Sequence, residues 1–271
     1  MRTAIREDVQ GGDVTTHALV AASHRSEAVI FSKEPAVLCG IEIACKVFRV
    51  LNRNVKCQML AKDGQEIKPM KPVLALSGSS RALLTAERTA LNFLSYLSAI
   101  ATKTFRFVQQ VKPYSCTILD TRKTTPTLRF LERYAVRTGG GSNHRHDLAE
   151  MAMIKDNHWL IAGREKIAEA MRLIRQKRVP VELEVDNLKQ LEEALQWNVD
   201  IILLDNMTPE TVKKAVGLRN KWSKKTLLEV SGGINTENIR SYAKTGVDRI
   251  SIGGLTHSRN AIDFSMEILP K

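Results

Sequence analysis

From Ser115 onward the chain repeats one unit, a short apolar run followed by an amphipathic stretch. The apolar runs fall at 115–120, 151–155, 181–185, 201–205, 227–231 and 249–253. Most are continuous rather than alternating, which is the pattern of parallel strands covered on both faces. Between them, 164–177, 188–197, 209–220 and 236–245 space their apolar residues as amphipathic helices do. This repeat constrains the fold more than any other feature, and it predicts a barrel-like α/β domain. A doubly wound open sheet is the alternative, since periodicity alone does not close a barrel.

In a parallel α/β barrel the C-terminal strand ends converge on one mouth, where active sites are built. Here those ends carry Asp120 followed by Arg122 and Lys123, then Lys155, Glu184, Asp205, Ser231-Gly232-Gly233 and Gly253-Gly254. The set divides by chemistry along the chain: cations first, acids next, glycines last. Glycine lets backbone N–H groups approach an anion, and a helix start adds a favourable dipole. Either glycine pair alone reads as a tight turn, but two in successive units predict a phosphate cradle. Glu184 and Asp205, on consecutive strand ends, are placed to share Mg²⁺. Their plainer readings are a surface acid beside Glu182 and a cap for the helix after Asn206. Arg122, Lys123, Arg145 and Lys155, with His144 beside them, offer planar forks and point charges for carboxylate or phosphate. A solvated basic surface is the plainer reading of those four. His17, His24 and His146 have no ligand-like companions, whereas His158 and His257 follow strand-end motifs. No Ser–His–Asp order or nucleophile elbow is visible.

The first hundred residues are mixed: strand-like at 26–32, 55–60 and 72–76, and helical over 42–51. A long helical pattern from 83 to 111 ends at Pro113. The division expected is 1–104 and 105–271, leaving room for the C-terminal tail to pack back on the first domain. Lys and Arg number 41 against 29 Asp and Glu, a net charge of +12 that suits nucleic acid, an anionic membrane surface or a small polyanion. Aromatic residues are only 5%, so stacking platforms for single strands are scarce. No apolar run approaches the roughly 20 residues of a membrane-spanning helix. The charged first residues do not resemble a secretory signal, and a cytoplasmic protein is expected. Cys39, Cys45, Cys57 and Cys116 form no C-x-x-C pair and read as reduced, packed thiols.

Three segments, Asp120-Thr-Arg-Lys-Thr-Thr-Pro126, Gly139-Gly-Gly-Ser-Asn-His-Arg145 and Ile154-Lys-Asp-Asn-His158, resemble the quinolinate phosphoribosyltransferase family. Glu7–Thr16, Ala86–Asn92, Leu204–Met207, Ser231–Ile234, Gly246–Ser251 and Thr256–Ser258 extend the resemblance, in order, over nearly the whole chain. It implies an N-terminal α/β sandwich domain and a C-terminal incomplete α/β (TIM-like) barrel. The implied reaction converts quinolinate and phosphoribosyl pyrophosphate into nicotinate mononucleotide, pyrophosphate and CO₂, with Mg²⁺, in NAD biosynthesis. It implies a homodimer or dimer-based hexamer, with the sandwich of one subunit helping to cover the barrel mouth of the other. Residue by residue, Arg122, His144, Arg145 and Lys155 are implied to contact quinolinate, joined by Arg88 of the partner subunit. Lys123 is implied to face the reacting centre, and Glu184 and Asp205 to hold the metal-bound ribose pyrophosphate. Ser231, Gly232, Gly233, Gly253, Gly254 and His257 are implied to line the 5′-phosphate site. Three residues depart from the family pattern: Thr127 and Asp147 where Gly is expected, and Tyr96 where His is frequent. A paralogous phosphoribosyltransferase found with molybdate-transport genes is the nearest rival, and a basic nucleic-acid binder the rival from another class. The expectation is no nucleic acid and no membrane partner.

Overall fold

The computed structural model describes residues 1–222, 224–258 and 260–270. The first unit opens with α1 (Arg2–Val9), α2 (Val14–Leu19), β1 (Arg25–Ser32), β2 (Ala36–Val37) and α3 (Ile41–Leu51). It continues through β3 (Lys56–Met59), β4 (Glu66–Ile67), β5 (Pro72–Ser79) and the long α4 (Ser80–Val111), within which the boundary between two compact units falls. β6 (Thr117–Leu119) belongs to the second unit, and α5 (Arg129–Thr138) lies almost wholly in the first. Strand and helix then alternate as β7 (Ala152–Ile154), α6 (Asp156–Gln176), β8 (Val181–Val185), α7 (Leu188–Gln196) and β9 (Ile201–Asp205). The alternation ends with α8 (Pro209–Trp222), β10 (Leu227–Ser231), α9 (Ile239–Ala243), β11 (Arg249–Ser251) and α10 (Gly254–His257), before a last strand, β12 (Phe264–Ile268).

In the first unit, β12, β1, β5 and β3 form an antiparallel sheet in that order, and β2 pairs with β4. α3 buries Ile41, Ala44, Cys45, Val47 and Phe48 on one face. Its start is fixed from a distance: the Asp63 carboxylate accepts the N–H groups of Gly40 and Ile41 at 2.8 and 3.1 Å. These are orphan donors of a helix N-terminus, where a negative charge is favoured. The segment 130–140, expected in the barrel half, belongs to this unit instead, and so does the C-terminal segment from 258, the tail for which that placement was left open. α5 is held here by Tyr134, whose hydroxyl donates to Asp63 at 2.6 Å, and by Tyr96, which donates to the buried Glu132. Gly139 sits so close to α4 that a Cβ on it would lie 2.3 Å from the Ala101 carbonyl oxygen. β12 pairs antiparallel with β1, Ala28 opposite Ile268.

In the second unit the six parallel strands lie in the order β6-β11-β10-β9-β8-β7. β7 to β11 follow one another in a single direction without reversal, which is barrel winding and not the doubly wound alternative. β6 joins beside β11, and β6 and β7 are left as the outer strands, so the barrel is incomplete. Every residue of β8 is buried, as are the first four of β9. α6 begins at Asp156, ahead of the stretch expected from 164, because Gly163 at φ 72 breaks the helical path and splits its periodicity. No helix among the described residues is long and apolar enough to cross a membrane.

Candidate active site

A cavity of about 640 Å³ opens at the C-terminal strand ends of the second unit. It gathers Arg122 and Lys123 after β6, Lys155 after β7, Glu184 on β8, Asp205 on β9, and Ser231, Gly232 and Gly233 after β10. His144 and Arg145 reach it through a backbone bridge. Ser142 pairs with Leu119 beside β6, its N–H donating to Ile118 O at 2.8 Å. Fully buried Asp120 then accepts the His144 N–H at 2.7 Å and the Asn143 side-chain amide at 2.6 Å. Gly253, Gly254 and His257 do not line the cavity. A Cβ at Gly253 would lie 2.9 Å from Lys123 Cδ and 3.4 Å from His257 Nε2, so this turn packs beside Lys123. Thr256 ties the two together, its hydroxyl donating to the Lys123 carbonyl at 2.6 Å. Arg88 is exposed on α4, in the first unit.

The cations crowd one another. Burial, then the neighbouring Arg122 charge, presses Arg145 below its ordinary pKa. An anion between two such groups would relieve their mutual repulsion. Arg145 is also anchored, its guanidinium donating to the Met151 carbonyl at 2.9 Å. Lys155 Nζ sits 2.6 Å from Glu184 Oε2. A lysine assigned to substrate and an acid assigned to metal are thus one ion pair here. Asp205 is held above its ordinary pKa by burial and then by the Glu184 charge. Paired hard carboxylates of this kind suit Mg²⁺, which would offset their mutual repulsion.

The plainer readings of both acids fail. Glu184 is buried on the inner face of β8 and is not a surface acid. Asp205 accepts from Asn206 Nδ2 at 2.6 Å, while Thr208 offers its hydroxyl to the first turn of α8. Asn206 itself takes a left-handed φ of 52 and donates its N–H to the Ser231 carbonyl at 2.9 Å. The loop after β10 has consecutive left-handed glycines, Gly232 at φ 98 and Gly233 at φ 61. No helix starts directly after it, since α9 begins only at Ile239. An anion there would rest on backbone N–H groups, without the expected helix dipole. His158 has a local role, its Nδ1 accepting the Lys155 N–H at 2.9 Å.

Beneath the mouth lies a second charged layer that reasoning from strand ends missed. The two-residue strand period places Glu182 under Glu184, Glu229 under Ser231 and Arg249 under Ser251. His144 Nε2 lies 3.0 Å from Glu182 Oε2 and 3.3 Å from Glu229 Oε1, and Arg249 Nε is 3.0 Å from Glu229 Oε2. Among the described residues, His144, Glu182 and Glu229 form the one group of three with metal-ligand side chains close together. Burial opposes charge on His144, but the two glutamates outweigh it and raise its pKa to about 9. The Arg145 backbone N–H donates to Nδ1 at 2.8 Å, a bond that a second ring proton would have to break. The carboxylates' pull toward a charged ring and the acceptor role at Nδ1 thus oppose each other at Nδ1 but agree at Nε2, which carries a proton between the carboxylates in both forms. The available signal was a charged residue two positions before each mouth residue: Glu182 before Glu184, Glu229 before Ser231 and Arg249 before Ser251.

Fold and site together define an incomplete parallel α/β barrel whose mouth is built for anions. Comparison with known proteins then fixes the family. Residues 13–98 match the quinolinate phosphoribosyl transferase N-terminal domain, and residues 100–267 the C-terminal domain. A probable carboxylating nicotinate-nucleotide pyrophosphorylase of Methanocaldococcus jannaschii is 40% identical, over 99% of this chain and 96% of the relative. The carboxylating nicotinate-nucleotide pyrophosphorylase of Mycobacterium leprae is 39% identical, over 99% and 95%. The crystal structure of NadC from Streptococcus pyogenes superposes with a TM-score of 0.93 at 39% identity, covering 99% of this chain and 95% of that one. The chain belongs to the quinolinate phosphoribosyltransferase family.

Proposed function

We propose that the chain transfers phosphoribose from phosphoribosyl pyrophosphate to quinolinate with decarboxylation, giving nicotinate mononucleotide, pyrophosphate and CO₂ in NAD biosynthesis. One observation carries the reading: a single cavity holds four cations, two adjacent acids and a left-handed glycine turn. Two polyanions brought together repel strongly at low effective dielectric, and fixed cations offset that cost. In this assignment Arg122, Arg145 and Lys155 bind the two quinolinate carboxylates and orient the ring nitrogen. His144, expected among these contacts, has its ring nitrogens engaged by Glu182, Glu229 and the Arg145 N–H and supports Arg145 instead. Lys123 faces the leaving pyrophosphate, and Ser231, Gly232 and Gly233 hold the 5′-phosphate with Gly253, Gly254 and His257 beside them. Glu184 and Asp205 would hold Mg²⁺, which when bound neutralises part of the pyrophosphate charge. The pocket positions the ring nitrogen against the ribose carbon, so no side-chain nucleophile is required. Ribosylation leaves the ring cationic, and the adjacent carboxylate is lost as CO₂, its C–C bond electrons staying on the ring carbon as a stabilised ylide that takes a proton.

We further infer a homodimer or dimer-based hexamer in which Arg88 of the partner subunit completes the quinolinate site. A cytoplasmic setting agrees with four free thiols. The test is steady-state kinetics with quinolinate or nicotinate, phosphoribosyl pyrophosphate and Mg²⁺, with nicotinate mononucleotide as the measured product. Nicotinate lacks the second carboxylate and leaves cationic donors unpaired, at about 1–3 kcal/mol each. Quinolinate should be preferred at least about a hundredfold in kcat/KM. EDTA should stop the reaction and added Mg²⁺ restore it. Equal efficiency with nicotinate would show that the cations serve another anion.

A further inference from the structure

We propose that Glu182 and Glu229 are positioning residues for the carboxylate end of the pocket, acting through His144 on Arg145. The inference rests on the assignment of Arg145 to quinolinate made above. Both glutamates are fully buried, at 0% exposure, on the inner faces of β8 and β10. A buried carboxylate is costly unless an opposite charge or a proton faces it. Arg249 faces Glu229, at 3.0 Å. The other facing group is His144 Nε2, shared by both glutamates at 3.0 and 3.3 Å. The ring is therefore clamped along one edge. Its opposite edge accepts the Arg145 N–H, and the His144 N–H is itself held by Asp120. No rotation of the ring keeps all of these contacts. Arg145 is thus held at its backbone by His144 and at its guanidinium by Met151 before substrate arrives. Within the layer, Glu182 meets the pocket through its pair with His144, whereas Glu229 also lies two residues before Ser231 on β10, which makes Glu182 the more selective probe of the carboxylate end.

The experiment measures binding of quinolinate and, separately, of phosphoribosyl pyrophosphate to wild type, Glu182→Gln, Glu229→Gln, His144→Asn and the Glu182→Gln/His144→Asn double variant. Glutamine keeps the volume of glutamate and an acceptor oxygen while removing the charge. Quinolinate affinity should fall about tenfold or more in Glu182→Gln, while phosphoribosyl pyrophosphate affinity stays within about twofold. The double variant should bind quinolinate no more weakly than His144→Asn alone, because residues acting through one another are not additive. Unchanged quinolinate affinity, parallel loss for both ligands, or additive losses in the double variant would each overturn the proposal. Should Glu182→Gln not fold, Glu229→Gln is read by the same two affinities, paired with His144→Asn. Wild type that binds no quinolinate overturns the substrate assignment instead, and so the two failures are distinguishable.

Discussion

Thr127 adopts φ 67, in a region that costs a β-branched residue most. The resemblance leads to an expectation of glycine at this place, and glycine would take this φ without that cost. Tyr96, the second departure, is spent on Glu132 inside the first unit, and Asp147 accepts the Ala149 and Glu150 N–H groups in a local turn. Gly232 has a sharper requirement. A Cβ there would lie 2.1 Å from Asn206 Oδ1, the residue that steadies Asp205. Gly232→Ala should raise KM for phosphoribosyl pyrophosphate about tenfold or more, with KM for quinolinate moving much less. Kinetics in each substrate checks this, and equal changes in both would refute it. At this scale the mouth was legible, because strand ends can be counted along a chain. Glu229 and Asn206 were not, because what they face is set by neighbouring strands.

Elements that depend on local pattern were read well, and those that depend on distant partners were not. β8, β9 and β10 match their expected bounds. β9 is a continuous apolar run of the kind that marks a doubly covered strand, while β8 and β10 keep enough apolar residues around their glutamates to be read at the same place in the repeat. α5 went unread because its buried face is Glu132, Ala135 and Val136, and a buried glutamate breaks the apolar rhythm. α2 also went unread, being six residues long and held by its cap. Asp13 accepts the Thr16 N–H at 2.9 Å and the Thr85 hydroxyl at 2.9 Å. These bonds, chiefly those from Thr16, hold its carboxyl below the ordinary value. A depressed folded pKa gives stability that is full above the unfolded value and lost as pH falls through the folded one. Asp13→Ala should cost about 1 kcal/mol near neutral pH. Thermal melts at successive pH values should show the gap to wild type closing below about pH 4. A gap that widens in acid would contradict the assignment.

Over the whole molecule, the two units have unequal tasks. The anion cavity lies in the second, and Arg88 is exposed in the first. If Arg88 serves a neighbour, mixing inactive Arg88→Ala chains with inactive Lys123→Ala chains should regenerate activity. Mixed assemblies then hold one mouth with both residues intact. No recovery after exchange confirmed by mass would mean that each site is self-contained. The units also differ in how they are written along the chain. The second closes at His257, but the first draws on three separate segments and receives its outer strand, β12, only after the second is complete. On a ribosome, β1 is finished early and then keeps one edge bare until β12 emerges. At roughly 5–20 residues per second that interval is on the order of tens of seconds. A bare strand edge is a template for foreign strands. Synthesis therefore leaves the β1 edge open to foreign strands for as long as the whole second unit takes to be made.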